Sequence, residues 1–325
     1  MGDAIESVVD GRAGDLEVLG RLHDVPPHEV YEVSVDGRRA VCKISVESRG
    51  SAGVEGRVCR YVGRETAIPV PEVLDVGENW FLMAYRDDAP QEPADGERRL
   101  EPTWLRTAGR TLARLHAEAR FDRPGLFATA GDPTDAESEL RVDAPADATW
   151  PDALDDLLGL YESTVADRTT DKAYARAIAD AREFLAAHAA RFVDVDDRPS
   201  LLHGWFTPEH VGVADGEPTC VIDFEHALVG SPAWDYWRLA VVLFQSSNWE
   251  APDDAESQFR RSYESVRPLP DGFEERADAY RAFVAASHLD SLVTQRGIDD
   301  ETRELATFLT EYIQDRLDDC RDRWS

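Results

Sequence analysis

Residues 201–225 read Leu-Leu-His-Gly-Trp-Phe-Thr-Pro-Glu-His-Val-Gly-Val-Ala-Asp-Gly-Glu-Pro-Thr-Cys-Val-Ile-Asp-Phe-Glu, and this stretch decides the fold. Two leucines precede a His-Gly pair, and a segment without a regular pattern follows that pair. Two short apolar runs, 211–213 and 219–222, then flank the turn residues Asp215-Gly216. Apolar runs on either side of an Asp-Gly pair predict a β-hairpin. Such a hairpin would bring the loop before it and the acids after it into one place.

The register of this hairpin depends on Pro218, which has no N–H group to donate to a strand ladder. We therefore expect a four-residue loop that ends at Pro218 and pairs Ala214 with Thr219. In that register His210 faces Asp223, and directly opposed residues of antiparallel strands lie about 4.5 to 5.5 Å apart at Cα. Local folding alone would then assemble a site.

This stretch resembles the catalytic core of the aminoglycoside phosphotransferase and choline kinase-like family. The family pattern is His-Gly-Asp-x-x-x-x-Asn, a hairpin, Asp-x-Glu, and then Gly-Asp-Pro-x-x-Asp. The matching residues are His203, Gly204, Asp223, Glu225, Gly230, Pro232 and Asp235. The resemblance implies an α+β, two-lobed protein-kinase-like fold, with a small antiparallel β-sheet N-lobe and a larger, mostly helical C-lobe. It also implies ATP-dependent phosphoryl transfer to a small molecule.

Two decisive positions depart from the family pattern. Trp205 stands where the family has its catalytic base Asp, and an indole offers only an N–H donor. His210 stands where the family has a metal-binding Asn. Loss of a general base typically costs about 10² to 10⁴ in rate, so weak transfer could persist. Glu209 is the nearest acid that could substitute as a base, with His210 as an alternative catalytic group.

The remaining site residues take their roles from the resemblance. Asp223 and Glu225 are expected to hold Mg²⁺ or Mn²⁺, with His210 as a further ligand, although imidazole favours zinc-like ions. Asp235, after a Ser-Pro helix start, is expected to brace the backbone of the catalytic loop from below. His203 is expected to anchor that loop through its ring.

Lys43 lies in the run Ala40-Val-Cys-Lys-Ile, predicted to be the third strand after an Asp36-Gly37 turn. In a kinase-like N-lobe, a third-strand lysine reaches the phosphates of ATP, and a glutamate on the next helix orients it. Glu55 is at the start of the helix that follows. This spacing predicts that Lys43 and Glu55 bind the nucleotide.

The loop that would cover the phosphates is predicted at 23–29, between strands at 15–22 and 30–35. It contains two prolines and no glycine, so it lacks the backbone donors of a glycine-type phosphate clamp. Two further strands are predicted at 68–74 and 80–85. By resemblance, the end of the last one meets the adenine edge through Met83, Ala84 and Tyr85.

The domain organisation follows from a polar segment rich in proline and charge. We place the N-lobe at 1–86, a hinge or linker at 87–102 and the C-lobe at 103–325. In the C-lobe, 129–149 is predicted to be a loop. Helices are predicted at 103–119, 152–166, 172–193, 254–266, 272–295 and 300–320.

The composition is strongly acidic, with 65 Asp and Glu against 35 Lys and Arg and a net charge of −30. It is similar to that of proteins from a salt-loaded cytoplasm, where about 1 M salt shortens the Debye length to about 3 Å. We therefore expect a halophilic protein. Nucleic acid is not an expected partner, because a polyanion would be repelled and no basic stripe offsets the acids.

No 18-residue apolar run occurs, and the N-terminus has no basic segment followed by an apolar one. We expect a soluble, cytoplasmic protein with no membrane partner. The four cysteines are widely spaced without a Cys-x-x-Cys pair, which indicates buried free thiols.

Three functions are compatible with these observations. The first is an ATP-dependent phosphotransferase with a rearranged site, acting on an unidentified small molecule with a hydroxyl group. The second is a pseudokinase-like protein that binds a nucleotide or small ligand without transfer. The third is a hydrolytic transition-metal site formed by His203, His210, Asp223 and His226.

Overall fold

The computed structural model describes residues 4–6, 8, 15–47, 49–93, 98–193, 198–246 and 248–324. An antiparallel sheet and a helix after its third strand form most of the N-terminal part, where residues 4–6 and 8 are also helical, and helices dominate the rest. The predicted α+β fold class is confirmed.

The N-terminal sheet has five antiparallel strands: β1 (Leu16–Val25), β2 (His28–Val35), β3 (Arg38–Ser45), β4 (Val73–Val76) and β5 (Trp80–Ala84). Their order is β1-β2-β3-β5-β4. Helix α1 (Ala52–Glu65) packs closely on the sheet at Gly56, where an added Cβ would lie 2.5 Å from the Cβ of Phe81. The absence of a side chain there lets α1 approach β5.

Two predictions in this part differ from the structure. The loop predicted at 23–29 is mostly strand, because β1 and β2 pair up to Val25 and His28 and leave only two prolines as the turn. The fourth strand, predicted at 68–74, begins only at Val73. Pro69 and Pro71 cannot donate to a ladder, which accounts for the later start.

The C-terminal part contains seven α-helices among the described residues. They are α2 (Pro102–Glu118), α3 (Trp150–Arg168), α4 (Lys172–Ala187), α5 (Pro232–Phe244), α6 (Ala255–Glu264), α7 (Ala277–Gln295) and α8 (Arg303–Trp324). The predicted helices are present with shifted ends. Residues 272–276 form turns before α7, and α4 is followed by a short 3₁₀ turn, Ala189–Arg191.

Six short strands lie between these helices in the described part of the chain. They are β6 (Gly125–Thr129), β7 (Leu140–Asp143), β8 (Ser200–Leu202), β9 (Val211–Ala214), β10 (Glu217–Val221) and β11 (Leu228–Gly230). One sheet has the order β7-β6-β11-β8, and β9 pairs with β10. Strand β7 lies inside the loop predicted at 129–149. Its four residues alternate half-buried and exposed, which is too short a pattern to read from sequence.

The β9–β10 hairpin forms, but with a different register from the predicted one. Ala214 pairs with Glu217 across a two-residue turn, and Pro218 lies opposite Val213. A register shift follows at Thr219, whose hydroxyl donates to the carbonyl oxygen of Asp88. The proline is accommodated because the ladder is irregular immediately after it.

One large cluster of buried apolar side chains fills the helical part and continues under α1. A smaller cluster lies on one face of the N-terminal sheet, around Tyr31, Val33 and Leu82. The four cysteines are free and buried, as predicted. Within the described part of the chain, no helix has both the length and the hydropathy needed to cross a membrane.

Candidate active site

The hairpin brings His210 and Asp223 into contact. On the backbone His210 pairs with Ile222, whose N–H donates to the His210 carbonyl at 3.0 Å. Asp223 has a left-handed backbone conformation with φ +68°, and its Oδ2 lies 3.1 Å from His210 Nε2. The predicted contact is therefore present, although the register differs by one residue.

Lys43 lies among three carboxylates in the buried part of the cleft. Its Nζ is 2.8 Å from Glu55 Oε2, 2.8 Å from Asp223 Oδ1 and 2.9 Å from Glu225 Oε2. Burial alone would lower the pKa of Lys43, but the three carboxylates outweigh it and hold that pKa well above its usual value. Lys43 is therefore a fixed ammonium that joins β3, α1 and the segment after β10.

The three carboxylates respond differently to this environment. Burial raises the pKa of Asp223 and of Glu225, but the neighbouring Lys43 outweighs it and holds both pKa values below the usual range. Burial raises the pKa of Glu55 to about 8, with only partial compensation by Lys43. The negative charges of Asp223 and Glu225 raise the pKa of Glu55 further. Near neutral pH, Asp223 and Glu225 carry the negative charge.

His210 is a second cation against Asp223. Its Nδ1 is 3.0 Å from the carbonyl oxygen of Trp205, which can only accept, so Nδ1 carries a proton. Its Nε2 faces the ionised carboxylate. Burial lowers the pKa of His210, but Asp223 outweighs it and raises that pKa to about 9. Both ring nitrogens are therefore donors, and neither has a lone pair for a metal.

Asp235 lies beneath the loop that contains Trp205. Its Oδ2 accepts the N–H of His203 and its Oδ1 accepts the N–H of Gly204, both at 2.6 Å. Oδ2 is also 3.1 Å from His116 Nε2. Gly204 has φ +82°, and an added Cβ would lie 2.4 Å from the carbonyl oxygen of His226. These contacts are those expected of a residue that braces the loop, and the glycine is required by conformation and by space.

The ring of His203 connects this loop to the hairpin. Its Nε2 donates to the carbonyl oxygen of Ile222 at 3.0 Å, and its Nδ1 accepts the Trp205 N–H at 3.3 Å. Burial and the nearby His210 lower the pKa of His203 to about 4, so the ring is neutral. Because the ring nitrogens of His203 and His210 are all engaged, the hydrolytic metal site with His226 is not assembled.

Mg²⁺ or Mn²⁺ does not fit the acids as they are arranged. Asp223 gives one oxygen to Lys43 and the other to His210. Glu225 Oε2 meets Lys43 and, at 3.0 Å, His28 Nδ1. The described residues that come closest to a ligand group are His28, Glu55 and Glu225, whose candidate atoms lie within 4.8 Å of one another. The Lys43 ammonium contacts both of those carboxylates. A divalent ion prefers free oxygen ligands, so it would have to displace Lys43 or His210 from these carboxylates.

Trp205 packs against other side chains, and the two predicted catalytic groups, Glu209 and His210, each face an oppositely charged partner. The half-buried indole packs edge-on against His288, with 5.6 Å between ring centroids, and the Arg238 guanidinium lies 5.3 Å from its ring. Glu209 forms an ion pair with Arg98 at 3.4 Å. The carboxylate that sequence reasoning proposed as a substitute base thus faces a cation of the linker segment.

Met83, Ala84 and Tyr85 line the cleft, as predicted. The N–H of Ala84 donates to the carbonyl of Glu72 at 2.8 Å, and that of Tyr85 donates to the carbonyl of Arg39 at 3.2 Å. These two donors are used within the sheet.

The cleft has a volume of about 1290 Å³ and extends from the N-terminal sheet to α5, α7 and α8. Ligand pockets are usually about 300 to 1000 Å³, so this cleft has room for two ligands. It is also lined by residues that sequence reasoning did not place there, among them His28 and His288. His28 follows the two prolines in a segment read as a loop, and His288 gives no local signal within its helix.

Comparison with known proteins is consistent with this architecture. The model of the phosphotransferase enzyme family matches residues 27–269. The structure of aminoglycoside phosphotransferase APH(4)-Ia is 19% identical, with a TM-score of 0.62 and coverage of 97% of each chain. A thermostable mutant of that protein, solved with AMP-PNP and hygromycin B, is 19% identical with a TM-score of 0.61, covering 97% of this chain and 98% of the other. Macrolide 2'-phosphotransferase MphH from Brachybacterium faecium is 18% identical, with a TM-score of 0.56, covering 95% and 97%. No curated protein sequence matches the chain.

Proposed function

The chain belongs to the phosphotransferase enzyme family, and from this membership we propose that it binds ATP in the cleft and slowly transfers the γ-phosphoryl group to a hydroxyl group of a small molecule. One observation carries the proposal. The buried Lys43 ammonium lies 2.8 Å from both Glu55 and Asp223, the arrangement that positions a phosphate-binding lysine in kinase-like sites. The cleft between the 1–86 and 103–325 lobes is where the nucleotide would lie.

The positive charge that phosphates require is supplied by the protein in this proposal. Lys43 and His210 both line the cleft and both hold the Asp223 carboxylate. Phosphate oxygens can replace carboxylate oxygens as acceptors of these N–H groups, because both are anionic acceptors of charge-assisted hydrogen bonds. A structural neighbour was solved in a ternary complex with AMP-PNP and hygromycin B, which supports the binding of a nucleotide together with a second ligand.

Phosphoryl transfer can proceed at this site without a general base, but it is slower than in a site that has one. The acceptor oxygen forms a bond to the γ-phosphorus, the bond from that phosphorus to the bridging oxygen breaks, and ADP leaves. The hydroxyl proton passes to a phosphoryl oxygen or to water, since Trp205 cannot accept it. The transition state of phosphoryl transfer is loose in most analyses, so a missing base slows the step by about 10² to 10⁴ without abolishing it.

A second candidate is a binding protein without phosphoryl transfer. It is favoured by Trp205 in the position of the base and by the His210 cation on Asp223. Both candidates predict nucleotide binding, and they differ only in turnover.

Thermal unfolding with and without ATP, combined with release of ADP over a panel of hydroxyl compounds, tests the proposal. We expect ATP to stabilise the fold by about 2.7 kcal/mol at a hundredfold excess over Kd, with slow, acceptor-dependent ADP release. Stabilisation without acceptor-dependent release would favour the second candidate. If ATP caused no shift, with or without Mg²⁺, both candidates would be excluded.

A further inference from the structure

The wall of the cleft opposite the nucleotide carries no acidic side chain among the described residues. We call this the acceptor wall and define it as the cleft-lining residues between 241 and 312, from α5, α7, α8 and the segments that follow α5 and α7. We propose that this wall binds an uncharged, largely apolar ring compound that carries the accepting hydroxyl group, and that it does not bind a polycationic aminoglycoside. The inference rests on the proposed function, because it names the class of acceptor for that transfer.

Charge is the first support for this proposal. One residue in five of the chain is acidic, 65 of 325, yet the described part of the acceptor wall has none and includes the cation Arg296. The acids that do line the cleft include Glu225, paired with Lys43, and Glu209, paired with Arg98. Recognition of several ammonium groups requires complementary carboxylates. In so acidic a protein, the lack of carboxylates on the described part of this wall favours an uncharged ligand over a polycation.

Exposed apolar surface is the second support. On α8 the side chain of Phe308 is 56% exposed and that of Leu305 is 43% exposed, and both line the cleft. Trp205, half-buried, adds an indole at the inner end of this surface. Covering such surface with an apolar ligand is favourable because it removes apolar area from water. The wall therefore favours a ligand that has aromatic or aliphatic surface to place against these side chains.

A single unsatisfied polar atom is the third support. The Nε2 atom of His288 is buried and has no hydrogen-bond partner among the described residues. His288 lines the cleft beside Trp205. Burial and the nearby Arg238 lower the pKa of His288 to about 3, so its ring is neutral. A neutral imidazole can hydrogen-bond an uncharged hydroxyl or carbonyl group, which fits a ligand with few polar groups.

The test uses the nucleotide-free protein and three probes of similar size: 2-phenylethanol, its 4-aminomethyl derivative and its 4-carboxy derivative. Affinities are measured by ligand-observed NMR at one ionic strength. We expect the neutral probe to bind at least about tenfold more tightly than the cationic one, a difference of about 1.4 kcal/mol. Gln295→Glu, which places a carboxylate on the wall, should remove that preference.

Phe308→Ser should weaken binding of the neutral probe about tenfold. The matched control is Leu160→Ser, since Leu160 is 52% exposed on α3 and does not line the cleft. Tightest binding of the cationic probe, or no loss with Phe308→Ser, would overturn the inference. No binding by any probe, while ATP still raises the melting temperature, would also overturn it and leave the proposed function intact. Binding of the neutral probe without any effect of ATP would refute the proposed function and keep the acceptor wall as described.

Discussion

The two walls of the cleft are built in opposite ways. The nucleotide side concentrates charge, with the Lys43 ammonium bonded to Asp223 and Glu225 and the His210 cation bonded to Asp223. The acceptor wall has aromatic and aliphatic side chains and, among its described residues, no acid. The difference shows that the departure from the family pattern is not a simple loss. His210 adds a positive charge next to Asp223, and Trp205 extends the apolar wall to the loop that follows Gly204.

The largest predicted effect comes from restoring the family residues on the charged side. Trp205→Asp with His210→Asn supplies a proton acceptor and frees one oxygen of Asp223 from its cation. With Mg²⁺ present, ATP hydrolysis should rise by about 10² to 10⁴, or about 3 to 5 kcal/mol in activation free energy. ADP release measures it.

The control for this experiment is Trp205→Phe, which keeps an aromatic ring on the acceptor wall and adds no base. It should not accelerate hydrolysis. If the double variant unfolds more easily and gains no rate, Trp205 serves packing against Arg238 and His288 and the lost-base account fails.

A second prediction uses the two lysines of the chain, Lys43 and Lys172. Lys43→Met leaves Asp223 and Glu225 buried without their shared ammonium. Removing one partner of a buried ion pair costs about 3 to 5 kcal/mol, so chemical denaturation should show a loss of that size, and stabilisation by ATP should disappear. Lys172 is exposed at the start of α4, and Lys172→Met should change stability by less than about 0.5 kcal/mol. Equal effects of both substitutions would contradict a buried charge cluster.

A third prediction concerns two histidines on opposite sides of the cleft. In the folded protein the pKa of His210 is raised to about 9, so its contribution to stability is fully present below about 6.5, the unfolded value, and is lost as pH rises through 9. The pKa of His288 is lowered to about 3, so its contribution is present above about 6.5 and is lost as pH falls toward 3. The free energy of unfolding should therefore fall at alkaline pH through His210 and at acid pH through His288.

Single variants separate these two effects in a plot of the free energy of unfolding against pH, measured by urea unfolding between pH 4 and 10. The alkaline limb of this plot is the fall in stability at high pH, and the acid limb is the fall at low pH. His210→Asn should flatten the alkaline limb, by at most about 3 kcal/mol for a pKa shift of this size. His288→Phe should flatten part of the acid limb and leave the alkaline limb unchanged. An alkaline limb that survives His210→Asn would show that His210 is not a cation in the folded protein.

Short-range patterns in the sequence predicted most of the charged side. The third-strand position of Lys43 and the helical position of Glu55 follow from local spacing, and the structure places Lys43 against both Glu55 and Asp223. The hairpin was expected, but its register depends on an irregularity at Thr219 that no propensity specifies.

The rest depends on contacts between distant parts of the chain. His28 and Glu225 are 3.0 Å apart although nearly two hundred residues separate them. Likewise, the apolar face of α8 becomes part of the cleft only through the packing of α8 on α7. Neither the charge of His210 nor the lack of acid on the acceptor wall is visible before these parts come together.

The central claim is that Lys43 and His210 provide, within the protein, the positive charge that a divalent ion would otherwise bring to ATP. Calorimetric titration with ATP tests it most directly, in EDTA and in Mg²⁺, for the wild type and for His210→Asn. For the wild type we predict affinities that agree within about threefold in the two buffers, and for the variant an affinity at least about tenfold higher with Mg²⁺. Binding of ATP by the wild type only when Mg²⁺ is present would contradict the account.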